Sequence, residues 1–204
     1  IIMKYNKLFI LLILTSITVV GQEVIPFTLK NDNRIYLKGV VNKSDTLNLV
    51  FDLGANITVI NKTRMKANNV NLKFDSIVSN NGANGTSNQE LSLNNLISLG
   101  KKEYEKIEIL GISYPEKELL DGIIGWDFFK NNKIRIDYES QELTIYENDY
   151  EVSEGYHKKK LKLINGLPYI ETHVYKNKKR VKIFAMIDTG YNGELYIQYA
   201  QVEK

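Results

Sequence analysis

The chain reads as a mainly β protein, and three observations predict it. Short runs in which apolar and β-branched residues alternate recur from residue 24 onward. Turn-forming clusters, such as Asn42-Lys43-Ser44-Asp45 and Gly54-Ala55-Asn56, separate these runs. One strand–turn–strand unit occurs twice, at 34–54 and 167–190, and each copy ends in an acid followed two residues later by glycine. The expected architecture is one complete β lobe over 22–147, a linker over 148–166, and the start of a second, truncated copy of the lobe over 167–204.

The elements follow in order. IIMKYNKLFILLILTSITVVGQE, at the start, has a basic region at Lys4 and Lys7, an apolar core from Leu8 to Leu14, and small residues before Gln22. That is the layout of a signal peptide over 1–21, with Met3 the expected initiator and cleavage near Gly21-Gln22. The apolar run, broken by Thr15, Ser16 and Thr18, is short for a membrane anchor, so no stable span is expected after cleavage. VIPFTL, RIYLKGVV, TLNLVFDL and NITVI read as strands. SNNGANGTSNQE, at 79–90, is polar and glycine-bearing and reads as a mobile loop or hairpin tip. LSLNNLISLG and YEKIEILGIS resume strand character. DGIIGWDFFKNN reads as an apolar turn and a short helical start, with Asp127 as its expected N-cap. KIRIDY and ELTIY form a hairpin around ESQ, and the charged stretch from Asn148 to Lys160 suits a linker.

Composition narrows the chemistry. The formal charge is +3, and removing Lys4 and Lys7 with the signal peptide leaves about +1, so no nucleic-acid partner is expected. There is no cysteine, which excludes disulfides, zinc–thiolate sites and thiol nucleophiles. Two histidines, His157 and His173, are too few for a multi-histidine metal centre, and no metal or cofactor is expected. A cysteine-free exported chain points to a bacterial envelope, periplasmic or secreted.

Asp52 sits between Val50-Phe51 and Ile57-Val59-Ile60, where burial penalises charge. Asp188 occupies the same place in the second unit. Two copies of one acid can be brought face to face by a pseudo-two-fold axis, and each is then tolerated because the other faces it. Such a pair shares one proton and titrates as a unit. The ionised member can take a proton from a water between them, the protonated member can donate to a carbonyl oxygen, and water adds with no covalent intermediate.

IDTG at 187–190 and FDLGA at 51–55, with DGIIGWDFF at 121–129 and the hairpin after it, resemble the bacterial retropepsin-like aspartyl proteases of the pepsin and retropepsin clan. The resemblance implies an acid-protease-type β-barrel lobe, a flap over a cleft, and hydrolysis of peptide bonds in a peptide or protein substrate. It implies Asp52 and Asp188 as the catalytic pair, with Gly54, Ala55 and Gly190 shaping the acid turns. Thr189 would bond the opposite lobe's backbone, Ile123-Ile124-Gly125 would support the Asp52 turn, and Gly82 and Gly85 would lie in the flap.

Two departures stand out. Leu53 replaces the Thr or Ser of the family pattern, which removes half of the cross-lobe grip, and Tyr191 follows the second glycine, where its ring crowds the acids or points outward. From Asp52 to Tyr146 is 94 residues, whereas the chain ends 16 residues after Asp188. The repeat predicts a fragment of a two-lobe protein of about 280–300 residues, or else a second copy that has decayed. Two alternatives remain: a single-lobe homodimer that supplies Asp52 twice, and an inactive protease-like module that binds or docks in the envelope. Trp126, Phe128 and Phe129 are expected in the core, while turn, cap and surface roles suffice for Asp121, Asp127 and Asp137.

Overall fold

Alternating inward and outward side chains build nearly every strand. The computed structural model describes residues 22–82, 85–146, 155–176 and 178–193. The expected signal peptide, the start of the expected linker and the last residues of the chain lie outside this set. In β1 (Gln22–Leu29) the pattern is plain: Ile25 and Phe27 are buried while Val24 faces water. β2 (Ile35–Val41), β3 (Leu47–Phe51) and β4 (Thr58–Asn61) are more fully apolar because both of their faces are covered. Two 3₁₀ turns follow β4. The polar stretch 79–90 is the end of a long hairpin, β5 (Ser76–Gly82) and β6 (Gly85–Leu99), with Gly82 paired to Gly85 at its tip. β7 (Lys102–Ile112), β8 (Gly122–Ile124), the single helical turn α1 (Trp126–Phe129) and the hairpin β9 (Lys133–Asp137) with β10 (Glu142–Tyr146) complete the large sheet.

The ten-stranded sheet runs β5-β6-β7-β4-β8-β3-β2-β1-β10-β9, and β6 also pairs with β2. That extra pairing closes a ring, β2-β3-β8-β4-β7-β6, whose interior needs no free edge. β3 lies parallel to β8, and β4 parallel to β7. The core fills the ring with Leu37, Leu47, Leu49, Phe51, Ile60, Ile97, Leu99, Ile109 and Ile124, all essentially inaccessible. Phe51 and Phe129 meet edge to face at 5.0 Å. Phe128 and Phe129 are therefore core residues, while Trp126 is half-buried at its margin.

A separate three-stranded sheet comprises β11 (Leu161–Ile164), β12 (Leu167–Lys176) and β13 (Lys179–Met186). Its first strand falls inside the stretch read as linker. Leu161-Lys162-Leu163-Ile164 is too short, beside a lysine run, to announce itself as a strand. The registers show what it is. Tyr36 lies opposite Thr28 and Val50, two residues before Asp52; Tyr169 lies opposite Lys162 and Met186, two residues before Asp188. The repeated unit is thus three strands, one more than sequence comparison finds.

Directly paired residues share a face. Leu161, Ile170 and Ala185 therefore stand together, beside Leu163 with Pro168, Thr172 with Ile183, and Val174 with Val181. Among these paired residues only Thr172 is polar, and Lys179 stands at the far end of the same face, yet Leu161 and Leu163 are 50% and 59% exposed. The opposite face carries Lys162, Glu171, His173 and Lys182, with Lys182 paired to Glu171 at 2.7 Å.

Two sequence readings are corrected. Asp127 does not cap α1: Gly125 is the N-cap, and Asp127 lies within the first turn, where Thr58 Oγ1 approaches it at 3.5 Å. Asp121 is not a turn or surface acid. It is 3% exposed and accepts from Asn48 N and Nδ2, Arg64 Nε at 2.6 Å, and Asn68 Nδ2. Burial raises its affinity for a proton, but these donors outweigh burial and hold its carboxyl below the usual range.

Candidate active site

β3 ends at Phe51, and the chain turns sharply at Asp52. The turn rests on β8: Asp52 N donates to Ile124 O at 3.0 Å, and Ile124 is inaccessible while Ile123 is half-buried. Gly125 fits because a Cβ there would lie 2.7 Å from Ile57 O and 2.9 Å from Ala55 O, both backbone. Trp126 N donates to Ala55 O at 2.7 Å, so the Ile123-Ile124-Gly125 segment and the Asp52 turn are stitched at both ends.

The second acid turn follows β13. Ile187 N donates to Pro168 O, which carries the hairpin pairing up to Asp188. Each turn feeds amides to its own acid. Gly54 N donates to Asp52 Oδ1 at 2.7 Å; Gly190 N and Tyr191 N donate to Asp188 Oδ1 at 3.1 and 2.8 Å.

The structure brings the two turns together. A Cβ on Gly54 would lie 2.6 Å from Asp188 Cγ, and a Cβ on Gly190 would lie 2.4 Å from Asp52 Cγ. Each glycine is thus required by the opposite acid's closeness, not by a left-handed backbone: neither glycine has positive φ. Thr189 bridges the turns, its Oγ1 accepting from Leu53 N at 3.0 Å and donating to Phe51 O at 2.9 Å. Leu53 offers no hydroxyl in return. Its side chain joins the core instead. Burying a leucine contributes about 2 kcal/mol, against roughly 0.5–1.5 kcal/mol net for a hydrogen bond. The exchange favours stability but leaves the crossing ties one-sided.

Electrostatics follow from placement. Asp52 is half-buried and Asp188 exposed. Burial pushes the Asp52 carboxyl up from 3.8 to about 6, with the charge of Asp188 adding to it and the Gly54 amide opposing. Tyr114, half-buried against Tyr36, Val50 and Leu120, is also pushed up, first by burial and then by the charge of Asp52.

Sequence reasoning missed Tyr114 and Arg34. Arg34 Nε donates to Gly190 O at 2.8 Å across 156 residues of chain. Neither carried a signal: each is one polar residue beside a strand. Gly82 and Gly85 stand apart from the acids, since a Cβ on Gly85 would meet nothing within 4 Å and one on Gly82 only the Asn80 side chain. Tyr191 lies over Gly193 and is 40% exposed. His157 and His173 are exposed, and among the described residues no group of three or more His, Cys, Asp or Glu is gathered as a metal would need.

A closed β ring and two facing acid–X–Gly turns define a class of protein that presents paired carboxyl groups to one site. The family model described as aspartyl protease matches residues 37–128, from within β2 to the third residue of α1. Among solved structures the chain is similar to a retropepsin-like aspartic protease from Rickettsia conorii, at 21% identity, with 61% of this chain and 89% of that chain covered and a TM-score of 0.43. No curated protein matches it.

Proposed function

We propose that this protein is an exported aspartyl endopeptidase in which Asp52 and Asp188 activate water against a peptide bond. The observation that carries the reading is the reciprocal approach of the two turns, each glycine lying where a side chain would strike the other's carboxyl group. The match of residues 37–128 to the aspartyl protease family model supports a peptide or protein as the substrate.

The chemistry needs one proton shared by the pair. Asp52, pushed up to about 6, holds it through mildly acidic pH and donates it to the carbonyl oxygen of the scissile bond. The partner carboxylate takes a proton from the attacking water. Oxygen adds to the carbonyl carbon, a neutral gem-diol forms, and its collapse with proton transfer to nitrogen breaks the C–N bond. Amides at Gly190 and Tyr191 orient the partner carboxylate throughout.

The chain is further proposed to be part of a longer two-lobe protein. The apolar face of the β11–β13 sheet supports this, because Leu161, Leu163 and Val181 would be core residues once further strands covered them. The leader-like first 21 residues support export.

The test is cleavage of a peptide library by the protein at pH 4–7, with Asp188→Asn beside it. Loss of cleavage in the variant by a factor of about 10³ or more is expected. Equal cleavage by both removes the pair from the mechanism. No cleavage by either, together with tight binding of a peptide, favours a module that binds without cutting.

A further inference from the structure

We propose that Arg34 is a positioning residue for the paired acids, and that its bond to Gly190 O replaces the crossing tie that Leu53 cannot make. This rests on the dyad reading above and adds a residue to it.

The two turns are related by a repeat, so a symmetric pair would exchange two crossing hydroxyl ties. Thr189 makes one of them, to Leu53 N and Phe51 O. The reciprocal tie needs a hydroxyl at residue 53, where Leu53 is buried among Phe51 and its neighbours instead. From the first unit, the Asp52 carboxyl already meets the Gly190 amide, and a further group reaches the backbone of the second turn. That group is Arg34, through Nε to Gly190 O at 2.8 Å.

The atom it holds decides what the bond does. The carbonyl of Gly190 and the N–H of Tyr191 belong to one peptide plane, and a trans peptide points them in opposite directions. Tyr191 N donates to Asp188 Oδ1 at 2.8 Å. Fixing the carbonyl therefore fixes the amide that orients the Asp188 carboxylate. A guanidinium at the carbonyl also polarises that peptide and strengthens its N–H as a donor.

Arg34 is itself held. It closes the β1–β2 turn, where Lys30 N donates to Arg34 O and Asn33, at φ 59°, completes the reversal. Asp32 accepts from Arg34 N at 3.2 Å, lies 3.7 Å from Arg34 Nη1, and accepts from Tyr36 Oη at 2.7 Å. The charged and titratable groups around the pair include Arg34, Asp32, Tyr36, Tyr114 and, beside Tyr114, Glu118.

The test compares wild type, Arg34→Gln, Leu53→Thr and the double variant. Two readouts apply: steady-state cleavage, and the ¹³C titration of the Asp52 carboxyl, which needs no substrate. Arg34→Gln is expected to lower kcat by roughly 10–100-fold with KM changed less than threefold, and to move the Asp52 midpoint downward as Asp188 is released. Leu53→Thr in the Arg34→Gln background is expected to restore kcat to within about fivefold of wild type and to return the midpoint, since the hydroxyl supplies the missing tie. Arg34→Gln acting like wild type on both readouts overturns the inference. So does a loss that follows thermal stability alone and is untouched by Leu53→Thr. The dyad reading fails separately: in that case the Asp52 midpoint of the otherwise wild-type chain is the same with Asp188→Asn as without it.

Discussion

Replacing Asp52 by Asn should change how stability depends on pH, and the size can be worked from the site. Asp52 has its midpoint at 3.8 when unfolded and about 6 when folded. Between those values the folded chain keeps a proton that the unfolded chain has released. The contribution of this group to stability is therefore fully present below about pH 4, falls as pH rises, and levels off above about pH 6. About two units at roughly 1.4 kcal/mol each give a fall of about 3 kcal/mol. The assay is urea unfolding of wild type and Asp52→Asn at intervals from pH 3.5 to 8, using the difference in unfolding free energy so that other titrations largely cancel. Wild type should lose about 3 kcal/mol relative to the variant across that range. Because the acids are coupled, the difference reports the pair. In an Asp188→Asn background the fall should shrink without vanishing, since burial remains when the neighbouring charge is gone. A difference flat to within about 0.5 kcal/mol, or one that rises with pH, would refute the burial of the Asp52 carboxyl, and a fall unchanged in the Asp188→Asn background would refute its placement beside a second carboxyl group.

Two other substitutions probe the frame around the pair. Thr189→Val removes the partner of Leu53 N and Phe51 O together and should cost roughly 2–3 kcal/mol of stability in calorimetry, with a larger proportional loss of cleavage. Asp121→Asn leaves Arg64 without its buried partner and should cost roughly 3 kcal/mol at pH 7, measured by denaturant unfolding. The carboxyl of Asp121 is held low, so its contribution is present above the ordinary carboxylate midpoint and lost as pH falls below it; the gap between wild type and this variant should close in acid.

Much of this was legible in the chain because strand periodicity is local. Ile25, Phe27, Leu47 and Leu49 alternate or cluster as buried strands must, and Gly85-to-Leu99 betrayed its hairpin by glycine and asparagine. The twin acids were legible as a repeat. What stayed hidden was non-local. The β2–β6 pairing that closes the ring joins Gly39 to Leu99, and no pattern around either residue names the other. Parallel pairing of β3 with β8 was likewise unreadable from strand composition. Asp121 looked like any acid before an apolar run; only the fold gathers Asn48, Arg64 and Asn68 around it. Arg34 opened the stretch RIYLKGVV with nothing to mark its role, because its partner lies at the far end of the chain.

The repeat also explains why the two acids, chemically identical and set on equivalent turns, are not equivalent in place. Asp52 follows β3, a strand in the middle of the closed ring, and is backed by Ile124 and the Phe51–Phe129 contact. Asp188 follows an edge strand of a small sheet and is exposed. Charge is costlier to hold where water is farther away. In the proposed mechanism the shared proton is therefore assigned to Asp52, and the division of labour between the acids follows from which copy of the unit has a closed ring built around it. Leu53 belongs to the same asymmetry: its side chain serves the ring's core, so the ties that align the pair must come from Thr189 on one side and from a charged residue outside the turn on the other.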